Sequence, residues 1–379
     1  MLFTAIRDIW AAFRQYTDQA IKYAFIATSI YLVISLITFI VRSIKGQRPH
    51  SIWYVLFKTC LFAVFGIYLS YLVALTFSSR VEGSRVGLIN LVPLKRMFQS
   101  KVFMLEGLEN IALFFPFGFL IPCVFKYFRG IFRTSLMGFS LSLIIEITQL
   151  VTSRGFFDID DIILNSLGSF VGYLVFSGIY DGLLAIKRRI LIDISARLKS
   201  QPPLGKLYNR FALRNPMILF LLQAFPVVLW ANIIMGFSND TGEQSGRMSK
   251  LLLGKIFRML GLARNIGDEV LADSESFLFL EKVLRKMAHM FEYGVLALLT
   301  WACIYSIVKL MRGLSYGAGL ALAFIVGMID ETNQKGVLAR TGTYKDVIWD
   351  MSGAILFLLV IAIIVSLAKR HYLRKYSRI

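Results

Sequence analysis

Long apolar runs, separated by short polar segments, dominate the chain. A helix that crosses the hydrocarbon core of a bilayer needs about 20 mostly apolar residues. Nine runs are close to this length and predict membrane spans at 23–41, 52–77, 107–125, 134–151, 161–180, 216–237, 287–308, 314–330 and 347–368. Segments 1–22 and 183–199 combine apolar with charged residues, and we interpret them as amphipathic helices at the membrane surface.

The composition agrees with a membrane protein. Of the 379 residues, 57% are hydrophobic and 17% are charged, whereas soluble domains are about 45–50% apolar and about 25% charged. A net charge of +19 would indicate a nucleic acid ligand in a soluble protein, but here the basic residues lie in short clusters between apolar runs. We therefore expect no nucleic acid partner. The three cysteines lie inside apolar runs, which argues against disulfides and metal ligands.

The distribution of charge between the loops predicts the orientation. One set of segments holds 21 Lys and Arg but only 2 Asp and Glu; these segments are 42–51, 126–133, 181–215, 309–313 and 369–379. The remaining loops hold 17 Lys and Arg and 14 Asp and Glu. Loops rich in Lys and Arg stay in the cytoplasm. Taken as a protein of a bacterial plasma membrane, the chain is therefore predicted to be multi-pass, with an outer N-terminus and a cytoplasmic C-terminus.

Five acidic residues lie in or at the edge of predicted spans. Ionisable groups are costly in a membrane, so they indicate a functional site or hydrogen bonds between helices. All five map to the outer half of the predicted spans; they are Glu109, Glu146, Glu292, Asp330 and Asp350.

A polar pattern occurs twice along the chain. Glu and Gln three positions apart share a helical face; an Arg-containing loop follows, and then two polar residues four apart and a Gly. The first copy consists of Glu146, Gln149, Arg154, Asp161, Asn165 and Gly168, and the second of Glu331, Gln334, Arg340, Asp346, Asp350 and Gly353. With four spans in each copy, both copies face the same way, which predicts a parallel duplication. The expected fold is an all-α, polytopic transmembrane bundle of about nine spans, built from two parallel four-helix repeats.

These motifs resemble the VanZ-like family. The matching residues include Asn90-Leu91-x-Pro93, Asn110, Pro116-x-Gly118 and the run Arg285-Lys286-x-x-His289-x-x-Glu292-Tyr293. The resemblance divides the chain into an N-terminal segment and first helix (1–51), a first VanZ-like domain (52–180), a basic linker (181–215), a second VanZ-like domain (216–368) and a basic tail (369–379). The family is named for resistance to teicoplanin, a lipoglycopeptide that binds cell-wall precursor termini. The resemblance implies a cell-envelope protein that lowers sensitivity to such antibiotics, with membrane lipid, lipoglycopeptide or a wall precursor as partner.

Three interpretations of the polar residues remain open. The polar residues could form hydrogen bonds that clasp helices together, a binding pocket for a polar head group, or a catalytic site in which His289 and carboxylates act as general acid and base. No established catalytic motif occurs, so an enzyme is the weaker interpretation, and we expect no cofactor and no metal. The candidate ligand-binding residues are Asn110, Glu146, Gln149, Arg154, Asp161, Asn165, Lys286, His289, Glu292, Tyr293, Glu331, Gln334, Arg340, Asp346 and Asp350.

The predicted orientation can be tested by thiol labelling of intact cells. In a variant that lacks the native cysteines, Ser245→Cys should react with a membrane-impermeant reagent and Gly205→Cys should not, because only position 245 is predicted outside. Labelling both positions after permeabilisation controls for buried thiols. The reverse labelling pattern in intact cells would contradict the outward placement of the polar motifs.

Overall fold

The computed structural model describes residues 17–44, 51–78, 89–94, 100–155, 157–198, 215–239, 275–307, 312–337 and 344–376, together with single positions between 246 and 257. In these ranges the chain is almost entirely helical. The long helices are α1 (Thr17–Ile44), α2 (Ile52–Val73, continued by a π-helical turn at Ala74–Ser78), α3 (Lys101–Val124), α4 (Ile131–Val151), α5 (Ile159–Arg197), α6 (Pro216–Ser238), α7 (Glu275–Ile307), α8 (Arg312–Gln334) and α9 (Tyr344–Tyr376).

Eight of these helices are long and apolar enough to cross a bilayer, which confirms a polytopic all-α protein. They coincide with eight of the nine predicted spans, from α2 to α9. The ninth, at 23–41, lies within α1. The apolar stretch identified there, Ala24–Ser35, is shorter than a span requires, so the first span stays a prediction. Residues 1–16 lie outside the described part of the chain.

The structure differs from the prediction at 183–199, where we expected a separate surface helix. Helix α5 instead continues without a break from Ile159 to Arg197. Ile186, Ile190 and Ile194 recur at four-residue spacing and are buried in a hydrophobic core. An apolar stripe of this period places one helix face against a bundle, and the basic residues between these positions lie on the other faces.

The chain divides into two compact units, Met1–Phe176 and Ser177–Ile379. In the first unit, helices α2, α3 and α4 enclose a core that is rich in aromatic side chains, including Phe65, Phe114 and Phe117. Lys58 of α2 donates from Nζ to the carbonyl oxygens of Cys123 and Val124 at the end of α3, at 2.7 and 3.0 Å. A Lys side chain at a helix C-terminus satisfies carbonyls that have no partner within the helix.

In the second unit, helices α6 to α9 and the end of α5 surround a larger core. Tyr293, Leu296 and Trp301 of α7 are each at most 1% exposed, so α7 runs through the middle of this core. Helix α7 packs against α6, α8 and α9. The polar residues that interrupt the apolar stretches of α7, α8 and α9 are therefore held inside one bundle.

Glycines allow backbones to touch at equivalent points in the two units. A Cβ added at Gly168 of α5 would lie 2.4 Å from the carbonyl oxygen of Ile111 in α3. A Cβ at Gly353 of α9 would lie 2.0 Å from the carbonyl oxygen of Met290 in α7. Real Cβ atoms do not approach so closely, and small residues at such crossings are the usual basis of helix packing in membranes.

At the next contact along each crossing, both units pair a Gly with a Phe, but the Gly and the Phe lie on opposite helices in the two units. In the first unit, a Cβ at Gly172 would strike the carbonyl of Phe115; in the second, a Cβ at Gly294 would strike the ring of Phe357. Phe115 lies four residues after Ile111, and Gly294 lies four residues after Met290. The two units thus share the same helix crossing, but the Phe lies on α3 in the first unit and on α9 in the second. This shared pairing agrees with the predicted repeat.

Replacing Gly353 by Ala should lower stability, because the added methyl group overlaps the backbone of Met290. Overpacking of this kind typically costs about 1–3 kcal/mol. The control is Gly317→Ala in α8, where nothing lies within 4 Å of an added Cβ; removing a helical glycine there should be neutral or stabilise by about 0.5–1 kcal/mol. Melting temperatures in detergent compare the two variants. Equal melting temperatures would rule out a tight crossing at Gly353.

Candidate functional site

Two buried side chains of α4 hold the end of that helix in the first unit. Glu146 and Gln149, each 2% exposed, lie one turn apart on the same face. Glu146 Oε2 accepts a hydrogen bond from the backbone N–H of Asp158 at 2.9 Å. Gln149 Nε2 donates to the carbonyl oxygen of Thr76, after α2, at 3.0 Å. The Glu and Gln of the motif therefore tie the α4–α5 turn and the end of α2 to α4.

The Asn-Leu-x-Pro segment meets the same turn through a short strand pair that we did not predict from the sequence. Ile89–Asn90 and Phe157–Asp158 pair as parallel two-residue strands. Asn90 Nδ2 donates to Asp158 Oδ1 at 2.9 Å, and the same oxygen accepts from the N–H of Asp160 at 3.0 Å. Asp158 thus caps the first turn of α5, as Asp does at many helix N-termini. The backbone N–H of Leu94 also donates to Asp160 Oδ1.

The remaining predicted residues of the first unit also bond to one another or to their neighbours. Asn110 Nδ2 of α3 donates to Asp161 Oδ1 of α5 at 2.7 Å. Asn165 Nδ2 donates to Ser142 Oγ of α4 at 2.9 Å. Arg154 is half-buried in the turn, where its backbone N–H donates to the carbonyl of Gln149 at 3.0 Å. Amide–carboxylate and amide–hydroxyl pairs of this kind make the first unit a set of helix clasps.

The second unit carries a different polar centre, built on Asp330 near the end of α8. Asp330 is 1% exposed. Its Oδ2 accepts from the hydroxyl of Tyr293 at 2.8 Å, and its Oδ1 accepts from Gln334 Nε2 at 3.0 Å. Both donors are neutral, so they orient the carboxylate without balancing a negative charge.

A second buried carboxylate and a histidine complete this centre. Asp350 of α9 is 1% exposed, and His289 of α7 is 30% exposed. Their closest atoms, Asp350 Oδ1 and His289 Nδ1, are 3.6 Å apart. Among the residues that the structure describes, neither Asp350 oxygen has a hydrogen-bond partner. One donor atom each from His289, Asp330 and Asp350 lie within 4.8 Å of one another, a set of types that can hold a metal ion.

Four further predicted residues of the second unit lie on the same three helices as this centre. Glu331 is 2% exposed at the end of α8, and Asp346 is half-buried in the first turn of α9. Glu292 is half-buried, and its backbone carbonyl accepts from Trp230 Nε1 at 2.9 Å. Lys286 is exposed, with Nζ 4.6 Å from the ring centre of Trp349. Arg340 lies outside the described residues.

The shared glycine crossings show which residues are equivalent. The two units are aligned by matching the two glycine contacts with each other. In this alignment His289 is equivalent to Asn110, Tyr293 is equivalent to Phe114, and Asp350 is equivalent to Asn165. Asp330, which precedes Glu331, takes the place of Ile145, which precedes Glu146. The second unit therefore has an acidic, histidine-containing centre where the first has apolar and amide side chains.

Several residues of these sites are not among the candidates predicted from the sequence. Asp330 is an acid inside a predicted span, and its contrast with Ile145 at the matching position is the signal that could have identified it. Asn90 belongs to the Asn-Leu-x-Pro motif and Asp158 lies between Arg154 and Asp161 of the first polar pattern, whereas Ser142 and Asp160 carry no signal of their own. Their roles depend on contacts between distant parts of the chain.

Carboxylates gathered in this way accept hydrogen bonds and attract cations. The second centre combines two carboxylates, an imidazole, a phenol and an amide. Such a set can bind hydroxyl, amide or ammonium groups, exchange a proton through the imidazole, or hold a metal ion. The first unit offers fewer such options, because its amides and carboxylates are bonded to each other.

Comparison with known families identifies both halves of the chain. The family model VanZ/LLP1 matches residues 65–180 and again residues 223–365. No curated protein and no solved structure matches. The two matches cover more than half of the chain and contain both polar centres. The protein is therefore a member of the VanZ/LLP1 family that carries two copies of the family domain in tandem.

Proposed function

We propose that this protein acts at the cell envelope by binding the polar head group of a lipid or cell-wall precursor, and thereby lowers sensitivity to teicoplanin-type lipoglycopeptides. The acidic centre of the second unit is the proposed binding site. The observation that carries the proposal is Asp350, a carboxylate that is 1% exposed and accepts no hydrogen bond from any described residue. Buried polar groups without partners are rare in native proteins and call for an explanation.

The chemistry of the centre favours a ligand with hydrogen-bond donors. Asp350 has both oxygens available as acceptors, and Asp330 is fixed by Tyr293 and Gln334. Sugar hydroxyls, peptide amides and amines supply the donors that such a site lacks. Wall precursors and many lipid head groups contain these groups, whereas an acyl chain does not.

The ligand has a route to the centre through His289. Asp350 and Asp330 are closed off from the surroundings, but the imidazole is 30% exposed and lies 3.6 Å from Asp350. A head group that reaches His289 is therefore in contact with the outermost member of the centre. From the distribution of Lys and Arg between the loops, we expect this end of the bundle at the outer leaflet, where wall precursors and lipoglycopeptides meet.

An enzyme that modifies the same precursor is the second candidate function. The observation in its favour is the imidazole beside a buried carboxylate, since such a pair can move a proton to or from a bound hydroxyl or amine. Under this alternative, turnover of the precursor depends on His289. Under the binding function, His289 affects affinity alone. If the protein is instead an accessory subunit of another membrane complex, substitution of His289 should be tolerated.

Susceptibility testing of a deletion strain examines the proposal. Deleting the gene should lower the inhibitory concentration of teicoplanin several-fold, and the wild-type gene should restore it. Asp350→Asn should fail to restore it although the side chain keeps its size, because an amide cannot replace both acceptor oxygens. Protein levels in the membrane are measured in parallel for every strain.

The matched control is Asp161→Asn in the first unit, which should restore the inhibitory concentration of teicoplanin to the wild-type level, because the Asn side-chain oxygen can still accept the hydrogen bond from Asn110 Nδ2. Vancomycin, which lacks the lipid tail, separates an effect on lipoglycopeptides from a general effect on wall synthesis. Unchanged susceptibility to both antibiotics in the deletion strain would remove the resistance function and leave the fold untouched.

A further inference from the structure

We infer that His289, Asp330 and Asp350 form a binding site for a divalent metal ion of the zinc type in the second unit. From the sequence we expected no metal, because no established motif occurs and the chain has only three histidines. The fold brings them together from three helices, α7, α8 and α9. One donor atom from each lies within 4.8 Å of the other two. This inference concerns metal binding alone and does not depend on the proposed role in antibiotic sensitivity.

The His289–Asp350 distance fits two ligands of one ion better than it fits a hydrogen bond. At 3.6 Å, Nδ1 and Oδ1 are too far apart for an effective hydrogen bond. Around a tetrahedral zinc ion, with bonds of about 2.0–2.2 Å, neighbouring donor atoms lie roughly 3.4 Å apart. The two atoms therefore already lie near the separation that shared coordination requires, and a donor atom of Asp330 lies within 4.8 Å of a donor atom of each of the other two residues.

The buried charge supplies an independent argument. Asp330 and Asp350 are each 1% exposed, and no described Lys or Arg forms an ion pair with either of them. Two carboxylates close together in a medium of low dielectric constant cannot both stay ionised without a nearby positive charge. Among the described residues, none donates a hydrogen bond to either oxygen of Asp350, and a protonated His289, 3.6 Å away, would balance one negative charge of the two. A bound divalent cation balances both charges and gives Asp350 a partner.

The surroundings of Asp330 have the arrangement typical of metal ligands. Tyr293 and Gln334 donate to its two oxygens, and each oxygen keeps a further lone pair for an ion. Hydrogen bonds from neighbouring residues that fix a ligand in place are characteristic of metal sites. Three protein ligands leave a fourth position open, next to the partly exposed imidazole, and one imidazole with two carboxylates suits zinc better than magnesium.

The first unit serves as an internal reference for the site. At the equivalent positions it has Asn110, Ile145 and Asn165, none of which supplies an imidazole or a carboxylate. His289→Asn and Asp350→Asn therefore introduce the residues that the same helix pairing already contains in the first unit. Asp350→Asn keeps the side-chain volume, and His289→Asn shortens a side chain that is 30% exposed, so both variants are expected to fold.

Metal retention by the purified full-length protein tests the site. The protein is isolated in detergent through an affinity tag without histidines, stripped with a chelator and dialysed against Zn²⁺ in the presence of excess Mg²⁺. Wild-type protein should retain about one zinc per chain by elemental analysis, as a three-ligand site does. His289→Asn and Asp350→Asn should fall to background, and Asp161→Asn in the first unit should match the wild type.

Thermal stability separates a lost ligand from a lost fold. Zinc should raise the melting temperature of the wild type, because a ligand that binds the folded state stabilises it. It should have no effect on Asp350→Asn, whose metal-free melting temperature should equal or exceed that of the wild type once a buried carboxylate is gone. Absence of zinc from the wild type, as expected if the two carboxylates merely share a proton, would overturn the inference. Equal retention by Asp350→Asn would overturn it as well.

Discussion

The close contact between two helix backbones, at Gly168 in the first unit and Gly353 in the second, is the constraint on which both polar centres depend. At each crossing the glycine lies against a carbonyl of the partner helix, and no side chain fits between them. The residue before that carbonyl, Asn110 or His289, is thereby held beside the first turns of α5 or α9. In a membrane there is little hydrophobic force between helices, so such fitted contacts decide how they associate.

The two units keep this crossing and differ in what surrounds it. In the first, two amide side chains near the crossing donate to partners of matching chemistry, in the pairs Asn110–Asp161 and Asn165–Ser142. In the second, Tyr293 and Asp330 replace an apolar pair, and Asp350 replaces an amide. The exchange of Phe and Gly between Phe115–Gly172 and Gly294–Phe357 shows that the packing tolerates large local changes as long as the crossing itself is kept.

The sequence predicts those features of the fold that depend on local spacing. Apolar runs located eight spans, and the three-residue interval between Glu146 and Gln149 correctly placed both on one buried face. The strand pair that joins Asn90 to Asp158 could not be predicted, because two residues are too few to show a strand pattern and their partner lies 68 positions away. The proximity of Asp330 to Asp350 and His289 could not be predicted either. In the sequence, each of these residues is an isolated polar position in an apolar helix.

The comparison of the units also shows that the acids of the second centre are not needed to build the bundle. The first unit forms the same helix crossing with Ile145 and Asn165 in place of Asp330 and Asp350. Burying a carboxylate is unfavourable unless it is paired, and replacing buried charges with apolar residues of similar size often stabilises a protein. The second unit nevertheless carries two carboxylates at these positions: Asp330 accepts from neutral donors, and no described residue donates to Asp350. We expect these buried carboxylates to lower the stability of the unit. Departures of this kind from well-satisfied packing are expected where a protein binds something. The second unit is therefore the place to look for the ligand, and the first is the scaffold against which its chemistry can be measured.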